Sequence, residues 1–203
     1  MPLRPKALTP FVHRESRPVG DYRVFRTSEE FIEDARGNSR GSVFVFQCPD
    51  WCNTLAVTED DCVVFVWQHR FGTRQLSLEI PGGMIDPGEA PETAALRELA
   101  EEAGYEAPHG ATLLTALAPN PALQGNTIYT YLAEGVRLER RAVSRFADGR
   151  GEALRQNPDD PLEELEVVLI PVADLPALLD QGQFTHALCV VALETYLRRR
   201  RSR

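Results

Sequence analysis

The sequence predicts an α/β fold in which helices cover a mixed β-sheet, with a β extension at the N-terminus. The predicted elements run as several strands, one central helix, further strands and then two helices, unlike the strand–helix alternation of a parallel sheet. With 203 residues and 43% hydrophobic content, the chain can form one sizeable domain and an extension. We place the extension at residues 1–40, as an arm with strand structure, and the main domain at residues 41–203.

The N-terminal part of the chain starts with a proline- and arginine-rich stretch, residues 1–19, which predicts an irregular arm. Alternation and turn residues then predict a strand at residues 21–26, a short turn or helix at 28–34 and a second strand at 41–47. Residues 43–46 of the second strand are apolar on both faces, so we expect both faces to be covered. A two-fold mate in a homodimer would provide this cover, and an N-terminal arm folded over the strand is the alternative.

The elements of the main domain follow from β-type alternation between turn residues or from helical periodicity. The strands are predicted at residues 51–58, 62–71, 75–80, 111–118, 127–133 and 165–171. Residues 137–160 are polar and charged, which predicts a surface loop. Two C-terminal helices are predicted at residues 172–180 and 185–199, and the arginines after them suit the negative end of the last helix.

The central helix has clear limits and an acidic face. Pro91 fits its first turn, and Gly104 suits a left-handed cap at its end. Its apolar stripe consists of Leu96, Leu99, Ala100 and Ala103. Glu98, Glu101 and Glu102 share another face, where their charges repel but their oxygens suit a hard divalent cation such as Mg²⁺. A solvated acidic face is the alternative interpretation.

The composition excludes several functional classes. The net charge is −8 and the pI about 5.1, which disfavours binding to nucleic acid or to an anionic membrane. Lys6 is the only lysine, so a P-loop lysine that binds phosphate is excluded. The four cysteines lack the paired spacing of a zinc site. We see neither a signal peptide nor an apolar run long enough to span a membrane, and we therefore expect a cytoplasmic protein.

The loop and the central helix form one motif, GMIDPGEAPETAALRELAEEAGY, from Gly83 to Tyr105. Its fixed positions are Gly83, Glu89, Arg97, Glu98, Leu99, Glu101, Glu102, Gly104 and a last position where Tyr105 replaces the usual aliphatic residue. This pattern resembles the signature of the Nudix hydrolases. Residues 51–58, 68–70 and 78–83, with Pro121, resemble the ADP-ribose and nucleotide-sugar pyrophosphatase branch of that family. The resemblance covers about residues 43–199 and implies an α/β/α sandwich.

The resemblance also implies roles for residues of the motif. Two or three Mg²⁺ ions, with Mn²⁺ as an alternative, would bind four groups: the carbonyl of Gly82 and the carboxylates of Glu98, Glu101 and Glu102. Four residues would be structural: Gly83, Gly104, and Glu89 with Arg97, whose salt bridge would hold the loop on the helix. A carboxylate near the metals would orient or deprotonate the attacking water, and the candidates are Glu102, Glu101 and Glu163. Glu164 is the alternative to Glu163 in the same acidic stretch.

Four residues beside the motif are candidates for substrate binding. Arg70 and Arg74 could each clamp a phosphate, and the alternative for Arg70 is a surface pair with a carboxylate. Glu79 could be a structural partner or bind the substrate ribose. Trp51 could stack on a nucleobase or pack in a core or an interface, and Phe71 is the alternative stacking residue.

The function implied by the resemblance is Mg²⁺-dependent hydrolysis of the diphosphate bond of ADP-ribose or a related nucleoside diphosphate sugar. The products would be a nucleoside monophosphate and a sugar phosphate. Another diphosphate, such as a GDP-sugar or a dinucleoside polyphosphate, is the first alternative. The second is a Nudix-like module that senses a nucleotide without cleaving it, although such a module would be expected to lose some of the motif residues that this chain keeps.

Overall fold

The computed structural model describes residues 8–138, 145–146, 154–155 and 164–202. The chain forms two compact units. The smaller unit comprises residues 1–49 and 118–126, and the larger comprises residues 50–117 and 127–203.

The smaller unit contains a three-stranded antiparallel sheet. Its strands are β1 (Val12–Asp21), β2 (Arg26–Glu33) and β3 (Ser39–Gln47), paired in that order. The central strand β2 is mostly half-buried, whereas β1 is almost entirely exposed. Pro18 is compatible with β1 because an edge strand does not need every backbone N–H for pairing.

Three sequence predictions for this unit are wrong. Within the predicted irregular arm, residues 12–19 belong to strand β1, which pairs along its length with β2. The strand predicted at residues 21–26 is mainly a turn, in which the Tyr22 N–H donates to the Phe25 carbonyl at 2.9 Å and Arg23 has a φ of 66°. The turn or helix predicted at residues 28–34 lies largely in β2, because ladders with two neighbouring strands override the weak local preference.

Strand β3 is confirmed, and it begins two residues before the predicted start. Val43 and Phe44 are 41% and 55% exposed in the single chain. Phe46 is half-buried, its ring lies 5.4 Å from that of Phe25, and its N–H donates to the Leu123 carbonyl at 2.7 Å. The expected cover on both faces of this strand is therefore not provided within the described chain, and a dimer that provides it stays a prediction.

The larger unit contains a ten-stranded mixed sheet. Its strands are β4 (Trp51–Thr58), β5 (Cys62–Arg70), β6 (Gln75–Glu79), β7 (Gly82–Met84), β8 (Tyr105–Glu106), β9 (Thr112–Leu117), β10 (Ile128–Leu138), β11 (Arg145–Phe146), β12 (Leu154–Arg155) and β13 (Glu164–Pro171). The main path runs β11–β13–β5–β4–β10–β8, and β12, β6, β7 and β9 pair with β13, β5, β4 and β10. β10 with β4 and β11 with β13 are parallel pairs among antiparallel ones, which confirms the predicted mixed sheet.

Helices lie on both faces of this sheet. They are α1 (Pro91–Ala103), α2 (Leu175–Asp180), which follows a 3₁₀ turn at Val172–Asp174, and α3 (Ala187–Arg201). Alternate residues of β5 point to opposite faces: Val63 and Phe65 pack in the core that contains residues of α2 and α3, whereas Val64 and Val66 pack with Leu99 of α1. The predicted α/β/α sandwich is therefore confirmed.

The ends of the helices follow from their sequences. Gly104, at φ 71°, caps α1 by donating its N–H to the Ala100 carbonyl at 3.0 Å. At the end of α3, Arg199 donates to the Leu114 carbonyl at 2.7 Å and Arg200 pairs with Asp61. These contacts attach the last turn of α3 to the rest of the larger unit.

Two boundaries differ from the sequence predictions. β10 extends to Leu138, because its later residues pair with β4 and with Tyr105–Glu106. Two short strands lie in the stretch predicted as a surface loop, and the rest of that stretch is outside the described residues.

Candidate active site

The loop that precedes α1 lies against the first residues of β4. Gly82 is opposite Asn53 and Gly83 is opposite Cys52 in the β7–β4 pair. A Cβ on Gly82 would collide with the Cys52 backbone, and one on Gly83 would collide with the Glu98 carboxylate. Space therefore requires glycine at Gly82, and a side chain at Gly83 would displace the Glu98 carboxylate; the two glycines let the backbone of the loop approach the acidic face of α1.

Arg97 joins this loop to α1. Its Nε and Nη2 each donate to a different oxygen of Glu89 at 3.0 Å, and Nη2 also reaches the Met84 carbonyl at 3.3 Å. Its Nη1 donates to Glu98 at 2.9 Å and to Glu101 at 3.0 Å. The pair with Glu89 raises the pKa of Arg97 and lowers the pKa of Glu89. One guanidinium thus fixes the loop and holds three carboxylates near each other.

The acidic face of α1 offers hard oxygen donors. The side chain of Glu98 is 15% exposed and that of Glu101 is 61% exposed, and the Gly82 N–H donates to Glu102 at 2.8 Å. Across the described ranges, no three His, Cys, Asp or Glu side chains form a group with metal-binding geometry. Glu98 and Glu101 do converge on one cationic group, Arg97 Nη1. The donor chemistry therefore fits a divalent cation such as Mg²⁺.

A cleft of about 780 Å³ lies beside the loop, within the larger unit. Its walls come from β4, β5, β6, β7, α1, β13 and the start of α3. It brings together eight residues that the sequence singles out: Trp51, Arg70, Phe71, Glu79, Gly82, Gly83, Glu102 and Glu164. Its volume is in the range of small-molecule sites, so a nucleotide derivative can be accommodated.

The other candidate residues have different positions. Glu98 and Glu101 belong to the Arg97 network and do not line the cleft. Arg74 lies in the exposed turn after β5, where it has a φ of 57°, and its role in phosphate binding stays a prediction. Glu163 lies outside the described residues, whereas its neighbour Glu164 lines the cleft.

A second arginine–glutamate pair forms part of the cleft wall. Arg70 Nε and Nη2 donate to the two carboxylate oxygens of Glu79 at 2.9 and 2.8 Å. The Glu79 side chain is 4% exposed and that of Arg70 is 44% exposed. Burial alone would raise the pKa of Glu79, but its contacts, above all with Arg70, lower the pKa below its usual value. The Arg70 guanidinium is thus engaged by a carboxylate, and its role in phosphate binding stays a prediction.

His186 and Cys189 also line the cleft, a position that no sequence pattern predicts for them. His186 Nδ1 lies 3.7 Å from Glu79 Oε2, and burial lowers the pKa of the imidazole. Burial raises the pKa of Cys189 to about 12, so the side chain is a neutral thiol. Neither position could be inferred from sequence spacing, because each depends on how α3 packs against β6.

Aromatic side chains lie near the mouth of the cleft. Trp51 is half-buried at the start of β4, where it pairs with Ile128 and Met84 on the flanking strands. Phe71 is 62% exposed after β5, and its ring packs at 5.0 Å, edge to face, against His69. Both line the cleft, so both can stack on a planar ligand.

The fold and the site together define an α/β/α enzyme with an acidic helix beside a cleft for a small molecule. Residues 53–188 match the family model described as the NUDIX domain. The chain therefore belongs to the NUDIX family, and the expectation of a Nudix pyrophosphohydrolase is confirmed.

Comparisons with individual proteins agree with this assignment. The chain is 33% identical to the ADP-ribose pyrophosphatase of Bacillus subtilis (strain 168) over 156 residues, which is 75% of this chain and 84% of that protein. It is 30% identical to the methanol dehydrogenase activator of Bacillus methanolicus over 144 residues, 71% of this chain and 77% of that protein. The crystal structure of an ADP compounds hydrolase has the same fold, with a TM-score of 0.75 and 24% identity over 96% of both chains.

No helix within the described ranges combines the length and the apolar character that a membrane span needs.

Proposed function

We propose that this protein hydrolyses the diphosphate bond of ADP-ribose or a related ADP-sugar, in a reaction that needs Mg²⁺ and yields AMP and a sugar phosphate. The observation that carries the proposal is the cleft beside the Gly82–Gly83 loop and Glu102. The similarity to the ADP-ribose pyrophosphatase of Bacillus subtilis supports this class of substrate.

The acidic face of α1 would hold the metal. Glu98, Glu101, Glu102 and the Gly82 carbonyl are the proposed ligands of two or three Mg²⁺ ions, with Mn²⁺ as an alternative. Bound divalent cations supply Lewis-acid chemistry, because they offset charge on the diphosphate and lower the pKa of a coordinated water. Arg97 keeps Glu98 and Glu101 side by side, so it prepares the ligand set without touching the substrate.

Two carboxylates in the cleft wall are candidates for the base. Glu102, on α1, accepts a hydrogen bond from the Gly82 N–H, and Glu164 lines the same cleft at the start of β13. Glu101 and Glu163 remain candidates, and the position of Glu164 in the cleft wall supports this residue, which the sequence offers as the alternative to Glu163. Either side chain could orient the attacking water or accept its proton.

The substrate would lie between the loop and the aromatic side chains. Trp51 or Phe71 would stack on the nucleobase. Arg70 would face the diphosphate, and Glu79 would fix its guanidinium in a constant orientation.

A panel of diphosphates with identified products tests the proposal. With Mg²⁺, the protein should convert ADP-ribose to AMP and ribose 5-phosphate, and a chelator should stop the reaction. Preferred cleavage of GDP-sugars or of dinucleoside polyphosphates would favour the first alternative. Binding of a nucleotide without cleavage of any member of the panel would contradict an enzymatic role.

The assembly and location form part of the same proposal. A homodimer would cover the apolar residues of β3, of which Val43 and Phe44 are largely exposed in the single chain. Light scattering of the full chain should therefore give the mass of a dimer, and an active monomer at micromolar concentration would contradict it. A cytoplasmic location and the lack of a nucleic-acid partner are checked by fractionation and by binding assays.

A further inference from the structure

Asn53 is a buried polar residue in the wall of the cleft. It is the third residue of β4, and the residue as a whole is 6% exposed. Its Oδ1 is buried and has no hydrogen-bond partner among the described residues. Buried polar atoms in native proteins are nearly always hydrogen-bonded, so an orphan in a cleft wall indicates a ligand that completes it.

The sheet places Asn53 beside the loop that carries the proposed metal ligands. Asn53 is opposite Gly82 on β7 and beside Thr130 on β10. Trp51, two residues earlier, shares its face of the strand, and both line the cleft. A substrate whose diphosphate lies at Gly82 and whose base lies at Trp51 would therefore pass next to Asn53.

The chemistry of the Asn53 side-chain amide limits which group of the ligand can bond to it. Phosphate oxygens that are ionised at neutral pH only accept hydrogen bonds, so they satisfy the amide only where Nδ2 faces them and never complete an orphan Oδ1. A hydroxyl both donates and accepts, and it satisfies the Asn53 amide in either of its two orientations. The groups that flank the diphosphate in an ADP-sugar are sugars, which carry such hydroxyls.

We propose that Asn53 is a specificity-determining residue whose side-chain amide hydrogen-bonds a sugar hydroxyl of the diphosphate substrate. The proposal rests on the proposed function and deepens it, because it adds a reason for preferring sugar-bearing diphosphates. A buried water is the other source of an O–H donor, and the experiment separates the two.

The test compares Asn53→Leu, which keeps a similar volume, with Thr115→Val. The Thr115 Oγ1 is also buried without a partner among the described residues, and Thr115 is paired with Thr130, but it does not line the cleft. Both variants should unfold at or above the wild-type Tm without ligand, because each loses an unsatisfied polar atom. Only Asn53→Leu should lower kcat/KM for ADP-ribose, by about tenfold.

Substrates without individual hydroxyls identify the partner. They are the 2′-deoxy and 3′-deoxy forms of ADP-ribose in its adenosine half, and an ADP methyl ester that lacks the second sugar. Asn53→Leu should reduce the wild-type preference for ADP-ribose over one of these substrates by about tenfold. An equal loss of kcat/KM on every substrate would assign the contact to water. An unchanged kcat/KM, or a lower Tm of Asn53→Leu, would assign Asn53 a structural role. Each of these results overturns the proposal.

Calorimetry with a chelator present gives a readout that does not depend on turnover. Asn53→Leu should weaken ADP-ribose binding by a factor similar to that in kcat/KM. If the wild type binds ADP-ribose in this Asn53-dependent way but never cleaves it, the proposed function fails and the hydroxyl contact stands. If the wild type neither binds nor cleaves ADP-ribose, both proposals fail.

Discussion

Two bidentate arginine–glutamate pairs lie near the cleft, and they differ in burial and in the number of carboxylates involved. In the cleft wall, Arg70 forms an ion pair with one carboxylate of the described residues, that of Glu79, whose side chain is 4% exposed. Beside the cleft, Arg97 meets Glu89 and two further carboxylates, and the side chains of Arg97 and Glu89 are 30% and 15% exposed.

The difference in carboxylate number separates two roles for similar geometry. The Arg70 pair balances one positive and one negative charge, so it can be buried, but each member then depends on the other. The Arg97 network has three carboxylates around one guanidinium, so negative charge remains for a divalent cation. We therefore expect removal of one partner of the Arg70 pair to lower mainly stability. We expect changes in the Arg97 network to alter mainly the dependence of activity on metal.

The largest expected effect belongs to Glu102, which follows Glu101 on α1 and lines the cleft. The hydrogen bond with Glu79 raises the pKa of Arg70, and the Glu102 charge adds to this. Glu102→Gln should lower kcat by about 10²–10³-fold, because a charge that acts in the transition state is removed. Tm should change little. Glu194→Gln, on the exposed side of α3, is the control, and near wild-type activity of Glu102→Gln at saturating Mg²⁺ would refute the site assignment.

Loss of Arg70 should give the largest fall in stability. Arg70→Ala leaves the Glu79 charge buried and unpaired, which should cost about 2 kcal/mol, less than a fully buried pair because the half-exposed Arg70 site admits water. Urea unfolding measures this cost. The double variant Arg70→Ala/Glu79→Gln should recover most of it.

The same double variant separates structure from substrate binding. If Arg70 also clamps a phosphate, or Glu79 also binds the substrate ribose, activity should stay low after stability is restored. Recovery of both would assign Arg70 to structure alone.

Loss of Arg97 should have a smaller effect on stability and a clear effect on metal dependence. Arg97→Ala should lower Tm by about 2–4 °C, because water already reaches part of this network. It should also raise the Mg²⁺ concentration needed for half-maximal activity, since Glu98 and Glu101 lose their common partner. Arg97→Lys is the matched variant and should retain part of the stability and part of the Mg²⁺ affinity. An unchanged Tm with no activity in Arg97→Ala would instead indicate that Arg97 contacts the substrate.

The smallest expected effect is a dependence of stability on pH, which comes from His186 beside the Arg70 pair. His186 faces Glu79 and Arg70, and burial lowers its pKa from the usual 6.5. The unfolded chain then binds this proton more readily than the folded protein, so stability is full above pH 6.5 and falls as the pH decreases below it. Tm measured from pH 7.5 to 5.5 should fall more steeply for the wild type than for His186→Gln. Parallel curves would show that the imidazole does not contribute.

The sequence predicted best the parts of the fold that depend on local interactions. Pro91 and Gly104 mark α1 correctly because each acts within its own turn. Strand β2 was missed because two neighbouring strands create it, and their pairing is not visible within residues 28–34.

The candidate site divides in the same way. Arg97 and the glutamates around it belong to one motif, and a resemblance could assign roles to them. Asn53 and His186 reach the cleft only through the packing of β4 and α3, and a polar residue within an apolar strand was the one available signal. The engagement of Arg70 by Glu79 likewise requires β5 and β6 to be paired.

The crowding at Gly82 and Gly83 also limits which sequences can evolve at this loop. In a library that samples every amino acid, both positions should reject even alanine, because a methyl group would displace the Cys52 backbone or break the Glu98 contact with Arg97. Gly88 presents a different restriction: its φ is 86° and open space surrounds it, so asparagine should be accepted there. Two of these three glycines are therefore restricted by the space around them, and the third is restricted by its backbone conformation.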